Sequence, residues 1–411
     1  MKTLITTVLM VLFAFGAANA QWTTQTSGTT QSIYSVSAVS DDVVWACAAG
    51  GVVLRTTNGG MDWTSVGAAP VSGDLYNIFG VDESIALVTG SGTTGTNVWR
   101  TTNGGATWSN VLTQPGGFFN VIEINAVGGG FIQGDPVGGR WSLWRTLDFG
   151  ATWDSTLMYL PQAGAEAGWN NSLHVNGLNY WFGTNNSKIY YSANAGLSWT
   201  AQNSPQLNTY AVWFNTPLNG VSGGTAGIVT SNGGTNWTTT TIGGTGNISG
   251  AAGYGTNLWV VQGTGIYRTT NNSTSWASDF TATGALQDIA ISRTGTRLWA
   301  VGTTGLIYTN DGVVSVNNIS SNVPDRYSLS QNYPNPFNPS TKINFDIVRA
   351  GFVSVKVYNS LGQQVADLVN QDMTPGSYQA DFDASALTSG IYFYTIKAGD
   401  FVETKKMVLM K

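Results

Sequence analysis

Charged side chains that could do chemistry are scarce, and three of them share one unusual stretch. Residues 21–324 carry 8 Lys+Arg against 14 Asp+Glu. Within that span, "FIQGDPVGGRW" supplies Asp135 and Arg140, and "YLPQAGAEAGWNN" adds Tyr159, Glu166 and Trp169. An arginine held between two carboxylates can grip a polar or sugar-like ligand through charge-assisted hydrogen bonds. Two carboxylates about 5–9.5 Å apart also meet the basic requirement of glycoside hydrolysis. The third use of such a trio is an ion pair that pins a long loop, which is the favoured reading because ion-pair networks are often structural. Asp135, Arg140, Glu166, Trp169 and Tyr159 are the candidate ligand-binding residues, and no residue is assigned a catalytic role.

Other chemistries find little support. Cys47 is the only cysteine and lies in the strand-like run "VVWACAAGG", where it reads as a small buried hydrophobe. His174 is the only histidine, and no cluster of His, Cys and carboxylates has metal-ligand spacing. No metal or cofactor is expected. The acidic balance gives nucleic-acid binding no electrostatic support.

The elements that position these residues repeat. "RTTNGGMDW" at 55–63 returns as "RTTNGGATW" at 100–108 and "RTLDFGATW" at 145–153. Written as hydroxyl, any, Asn/Asp, any, Gly, any, polar, Trp, the phrase places Asn58, Gly60 and Trp63; Asn103, Gly105 and Trp108; and Asp148, Gly150 and Trp153. It recurs as Asn194, Gly196 and Trp199, then as Asn232, Gly234 and Trp237. A sixth copy has Asn271 and Trp276 but Ser273 in the Gly place, and a seventh has Asn310 and Gly312 without the Trp. Each copy lies between alternating apolar runs, which predicts strand, tight turn, strand. The Asn or Asp can fold onto its own backbone, and the Gly allows a shape that a Cβ resists. A period of about 40–45 residues is the length of one four-stranded propeller blade.

The phrase resembles the Asp-box, or BNR repeat, of sialidases, sortilin-type receptors and photosystem II assembly-factor-like propellers. That resemblance implies a structural turn away from the central site. It makes Arg55, Arg100, Arg145 and Arg268 blade-surface contacts, not a substrate clamp. The Phe/Tyr-Arg-Ile-Pro motif of sialidases is absent from this chain. The opening "QWTTQTSG" looks like the closing strand of a box, with Trp22 as a seventh tryptophan. The expected fold is therefore all-β: a seven-bladed β-propeller over 21–315, its last blade completed by the N-terminal strand, followed by an immunoglobulin-like β-sandwich.

Residues 1–20 read as a signal peptide, with an apolar run shorter than the roughly 20 residues of a membrane span. A polar linker is expected at 316–326 and a second domain at 327–411, with alternating strands at sandwich spacing. "NYPNPFNPST", "VYNSLGQQV", "FDASALTSGIYFYTI" and the terminal "KKMVLMK" resemble the type A C-terminal sorting domain of the type IX secretion system. This implies passage through the periplasm to an outer-membrane translocon, and secretion or display at the surface of a Gram-negative bacterium. Lys405, Lys406 and Lys411 of the last strand are the candidate sorting residues. The expected protein is a monomeric surface or secreted module that binds a glycan or protein, with a glycoside hydrolase as the alternative.

Overall fold

A computed structural model describes residues 22–410 except 93–94, 255–256, 270–272, 294, 311–315, 321–322 and 385–386. The expected signal peptide, Asn271, Gly312 and Lys411 lie outside the described residues. Described regular structure is strand, apart from the 3-10 turns Ala49–Gly51 and Thr303–Gly305.

Seven antiparallel sheets follow one another from Trp22 to Asn310. Four-stranded sheets occupy residues 33–65, 75–114, 168–203, 211–240 and 248–281 as the first, second, fourth, fifth and sixth. The third has three strands, Phe119–Ile124, Gly130–Val137 and Arg140–Thr146. Residues 154–162 lie along its open edge through the isolated bridges Arg145–Asp154 and Arg140–Pro161. The seventh contains Leu286–Ile291, Leu298–Gly302 and Ile307–Asn310, and its fourth strand comes from the other end of the chain. Thr23–Gln25 pairs with it antiparallel, Thr23 opposite Thr309 and Gln25 opposite Ile307. The first strand of each sheet packs on the first strand of the next, and Ile33–Ala38 packs on both Leu75–Gly80 and Leu286–Ile291.

Repetition of the nine-residue phrase has a physical basis that goes beyond the Asn. In the second copy the Thr101 hydroxyl accepts from the Gly105 amide at 2.9 Å and donates to Asn103 Oδ1 at 3.0 Å. Asn103 Oδ1 in turn accepts from the Thr107 amide at 2.9 Å. The hydroxyl thus organises the turn as much as the amide does. Gly105 has φ +87°, and a Cβ there would meet Val66 of the first sheet at 2.6 Å. In the sixth copy Ser273 adopts φ 67° in the Gly place, and its amide still donates to Thr269 Oγ1.

The box tryptophans wedge against the preceding sheet. Trp108 donates to the Val66 carbonyl at 2.9 Å and meets Trp45 edge-on. Trp63 meets Trp299 of the seventh sheet edge-on at 5.8 Å. Trp22 donates to Asp279 Oδ2 of the sixth sheet at 2.8 Å, the same relation for the strand that opens the described chain. Arginines before the boxes make contacts within and between sheets. Arg55 donates to the Gly104 carbonyl and Arg100 to that of Phe149, each on the following box. Arg145 pairs with Asp154, and Arg268 donates to Asn257.

The C-terminal region is separate in its pairing. One sheet has the order Val316–Ser320, Gly376–Asp383, Ser340–Ile347, Ser328–Leu329; the other has Gln364–Met373, Gly351–Asn359, Gly390–Ala398, Phe401–Leu409. One apolar core joins them, including Phe337, Ile343, Phe345, Val355, Tyr394 and Met407. Val316–Ser320, expected in the linker, is instead a strand hydrogen-bonded to Gly376–Asp383, because its backbone supplies that sheet with an edge. The "NYPNPF" segment lies on the final strand. Asn335 Oδ1 accepts from the Val408 amide at 2.9 Å, and the Phe337 amide donates to the Val408 carbonyl at 2.9 Å. Lys405 pairs with Glu403 at 2.9 Å, and Lys406 is exposed. No described helix is long and apolar enough to cross a membrane.

Candidate functional site

Box turns mark one end of the sheets. The Gly59, Gly104, Ala195 and Gly233 amides donate to carbonyls of Asp42, Ser84, Leu178 and Leu218, in the turns between first and second strands. The opposite end, where the first strands begin, is therefore clear of boxes.

Six of the seven first strands carry a register shift near that end: at Ile33/Ser35, Leu75/Asn77, Phe119/Val121, Gly168/Leu173, Ile248/Gly250 and Leu286/Asp288. A bulge leaves its extra residue out of the ladder and re-aims its side chain. The extra residues include Tyr34, Tyr76, Asn120, Ser249 and Gln287, and residues 169–172 in the fourth sheet. Tyr34 stacks on Tyr76 with centroids 5.6 Å apart, and Tyr76 meets Phe118 at 4.5 Å. Trp169 meets Tyr210 at 4.4 Å. All five rings are half-buried.

The long bulge of the fourth sheet reaches the first and second sheets. Asn171, at φ 60°, accepts from Asn77 Nδ2 at 2.8 Å and donates to the Tyr34 carbonyl at 2.9 Å. It therefore ties the fourth sheet to the first and second. Between the two groups of rings sits Asp135. Its Oδ1 accepts from Asn120 Nδ2 at 2.9 Å and from the Gly168 amide at 2.7 Å. Burial pushes its carboxyl up, against these two hydrogen bonds. Gln133 is fully buried beneath, and both its amide atoms lack a protein partner among the described residues.

The five candidates from sequence separate. Asp135 and Trp169 lie at the end of the sheets where the first strands begin. Arg140 is exposed at the hairpin after Val137, and neither Asp135 nor Glu166 pairs with it. Tyr159 is 62 % exposed on the segment edging the third sheet. Glu166 does pin the long loop, but with Lys188, 3.0 Å away, in place of Arg140. The Glu166 carboxylate also accepts from Tyr190, Asn186, Trp141 and the Ala163 amide. Burial pushes its pKa up, but these partners outweigh it and hold the carboxyl below its usual value. With its side chain fully enclosed, Glu166 offers no second carboxylate to a glycosidic bond.

Elsewhere at the centre, Asp288 accepts from the Val36 amide at 3.0 Å and joins the seventh sheet to the first. Burial pushes its carboxyl up to about 7, against hydrogen bonds from Val36, Ile289 and Ser35. At the box end, Arg293 donates to the carbonyls of Gly80 and Val81. His174 is buried beside Trp213, and burial pushes it down to about 4. Cys47 is buried, and its thiol is pushed up. No group of three potential metal ligands occurs among the described residues. A crevice of about 870 Å³ between the fourth and fifth sheets is lined by Gln202, Pro217, Asn232 and Trp237, without a charged side chain.

This all-β architecture has the fold of known propellers. The chain is similar to the solved YCF48 bound to D1 peptide, at 16 % identity and TM-score 0.56, covering 71 % of this chain and 96 % of that one. It is similar at 13 % identity and TM-score 0.56 to virginiamycin B lyase from Staphylococcus aureus, covering 71 % and 99 %. The WD40 propeller domain of Doa1 gives 11 % identity and TM-score 0.54, covering 71 % and 97 %. At such identities the likeness concerns the fold alone. No curated protein matches the chain significantly. Residues 331–410 match the family model of the secretion system C-terminal sorting domain. The chain thus carries a type IX sorting domain behind a propeller-like passenger, and is directed through the translocon to the exterior of a Gram-negative cell.

Proposed function

We propose that the passenger is a closed seven-bladed propeller and that it acts as a non-enzymatic binding module outside the cell. The first strands contact one another in cyclic order, and Thr23–Gln25 supplies the last blade's outer strand, which supports closure. The passenger begins at about the mature N-terminus and ends near residue 315; the sorting domain, an immunoglobulin-like sandwich, begins with Val316–Ser320. The passenger works as a monomer.

The ligand site is the mouth opposite the boxes. One observation carries this: five half-exposed aromatic side chains gather where the first strands begin, around a floor closed by Asn171. Aromatic faces with a few fixed polar groups are what a concave recognition site requires. The similar YCF48 was solved with a peptide, so peptides stand beside glycans as ligand classes. Arrays of both, probed with the purified full chain and with its Tyr76→Ala and Trp169→Ala variants, test the site. Binding that survives both substitutions removes the mouth from consideration.

A further inference from the structure

We infer that the mouth takes a neutral oligosaccharide, and that Asp135 is the acceptor that selects for hydroxyls and against acidic sugars; this rests on the mouth being the ligand site. Shape is the first argument. Tyr34, Tyr76 and Phe118 come from three consecutive sheets and form one continuous crescent, each ring against the next. Trp169 and Tyr210 form a second aromatic face on the next two sheets. An ammonium group asks for rings that converge on one point. A crescent of successive faces instead suits successive sugar rings, whose C–H faces stack on aromatics while their hydroxyls stay free to hydrogen-bond.

Charge is the second argument. Asp135 stands between the two aromatic faces and Asp74 immediately precedes the Leu75–Gly80 strand. Asp74 Oδ1 accepts from the Gly50 amide at 2.9 Å. Lys188 is held by Glu166, and Arg140, exposed on the hairpin after Val137, pairs with neither Asp135 nor Glu166. Carboxylates without a facing cation repel uronic and sialic acids.

Hydrogen-bonding capacity is the third. A carboxylate has about four acceptor positions. Protein donors to Asp135 occupy Oδ1, while Oδ2 has no protein partner among the described residues. Gln287, at the bulge position next to Tyr34's sheet, likewise has no protein partner for its half-exposed amide. Oδ2 accepts from a sugar hydroxyl, and the Gln287 amide can both donate and accept.

The experiment is calorimetric titration of the full chain with neutral β- and α-glucan, mannan and xylan oligosaccharides, with oligogalacturonate and sialyllactose, and with choline. Binding to at least one neutral oligosaccharide and to none of the acidic ones is expected. Tyr76→Ala should weaken it at least tenfold. Asp135→Asn can keep its oxygen toward Asn120 and Gly168 but turns the free acceptor into a donor. It should cost a similar factor and narrow the discrimination against the acidic sugars. Unchanged far-UV dichroism and melting temperature report that each variant is folded; where Tyr76→Ala is not, Tyr34→Ala replaces it. Binding of choline or acidic sugars alone, or of no sugar, overturns the inference. A peptide that binds and is lost with Tyr76→Ala leaves the mouth as the site and removes only the saccharide. Sugar binding untouched by all variants removes the mouth itself.

Discussion

Two buried acids can be tested residue by residue. Lys188 is the cation facing Glu166, whose side chain is fully enclosed. Lys188→Met leaves a buried charge with neutral donors only and should cost about 3 kcal/mol in urea unfolding. Adding Glu166→Gln to that variant should recover part of the loss. Asp288 has the opposite character. Its carboxyl is pushed up from 3.8 to about 7, so between these values the folded chain holds a proton that the unfolded chain releases. Its contribution to stability therefore falls as pH rises through that window. Glu123, pushed up to about 7 by burial, acts in the same direction, and His174, pushed down to about 4, acts against it. Asp288→Asn removes one of the falling contributions. Across pH 4 to 7 the variant's melting temperature should decline less, or rise more, than the wild type's. Equal slopes would contradict this account of Asp288.

The box works as a joint between sheets, and its glycine is the point of contact. Gly105 and Gly116 both have positive φ, but only Gly105 faces a neighbour, Val66 of the preceding sheet. Alanine at either position costs about 1–2 kcal/mol for its backbone shape. Gly105→Ala should cost about 1–3 kcal/mol more, because the first and second sheets must separate to admit the methyl. Chemical denaturation of the pair measures the difference. A turn stabilised by its own hydrogen bonds alone would show none.

The pairing of Thr23–Gln25 with the seventh sheet, and export, belong to the whole molecule. Trp22 is buried against Phe280 and bonded to Asp279, far from both in sequence. Trp22→Ala should cost about 3–5 kcal/mol. Under native conditions, hydrogen exchange should rise first in the seventh sheet, which loses its outer strand. At the other terminus, Phe401–Leu409 pairs along the whole of Gly390–Ala398 and places Met407 and Leu409 in the core. Deleting 401–411 removes a wall of the sorting domain, and fractionation should find the passenger retained in the periplasm.

Sequence alone determined the strand-turn-strand repeat, the tryptophan at each joint, the pairing of Trp22's strand with Asn310's, and the sorting domain. The first two and the last are carried by local turn chemistry and short motifs; the long-range pairing is legible because "QWTTQTSG" resembles the closing strand of a box that the seventh copy lacks. The sequence singled out Asp135, Arg140, Tyr159, Glu166 and Trp169 because they break the repeat, and the fold separates them. It did not reveal Tyr34 and Tyr76, the extra residues of "IYSV" and "LYNI", nor Phe118 and Tyr210, which stand just before the strands Phe119–Ile124 and Ala211–Phe214. In a strand, facing follows a period of two, so an aromatic at a strand's start reads as core; at Tyr34 and Tyr76 an unpaired bulge residue changes that facing and leaves no mark of its own in the sequence. Tertiary structure alone decided that Glu166 pairs with Lys188 and not Arg140, and that Val316–Ser320 pairs with Gly376–Asp383. Both depend on which segments lie side by side: the loop of Glu166 on the strand of Lys188 in one case, two strands of the C-terminal sheet in the other.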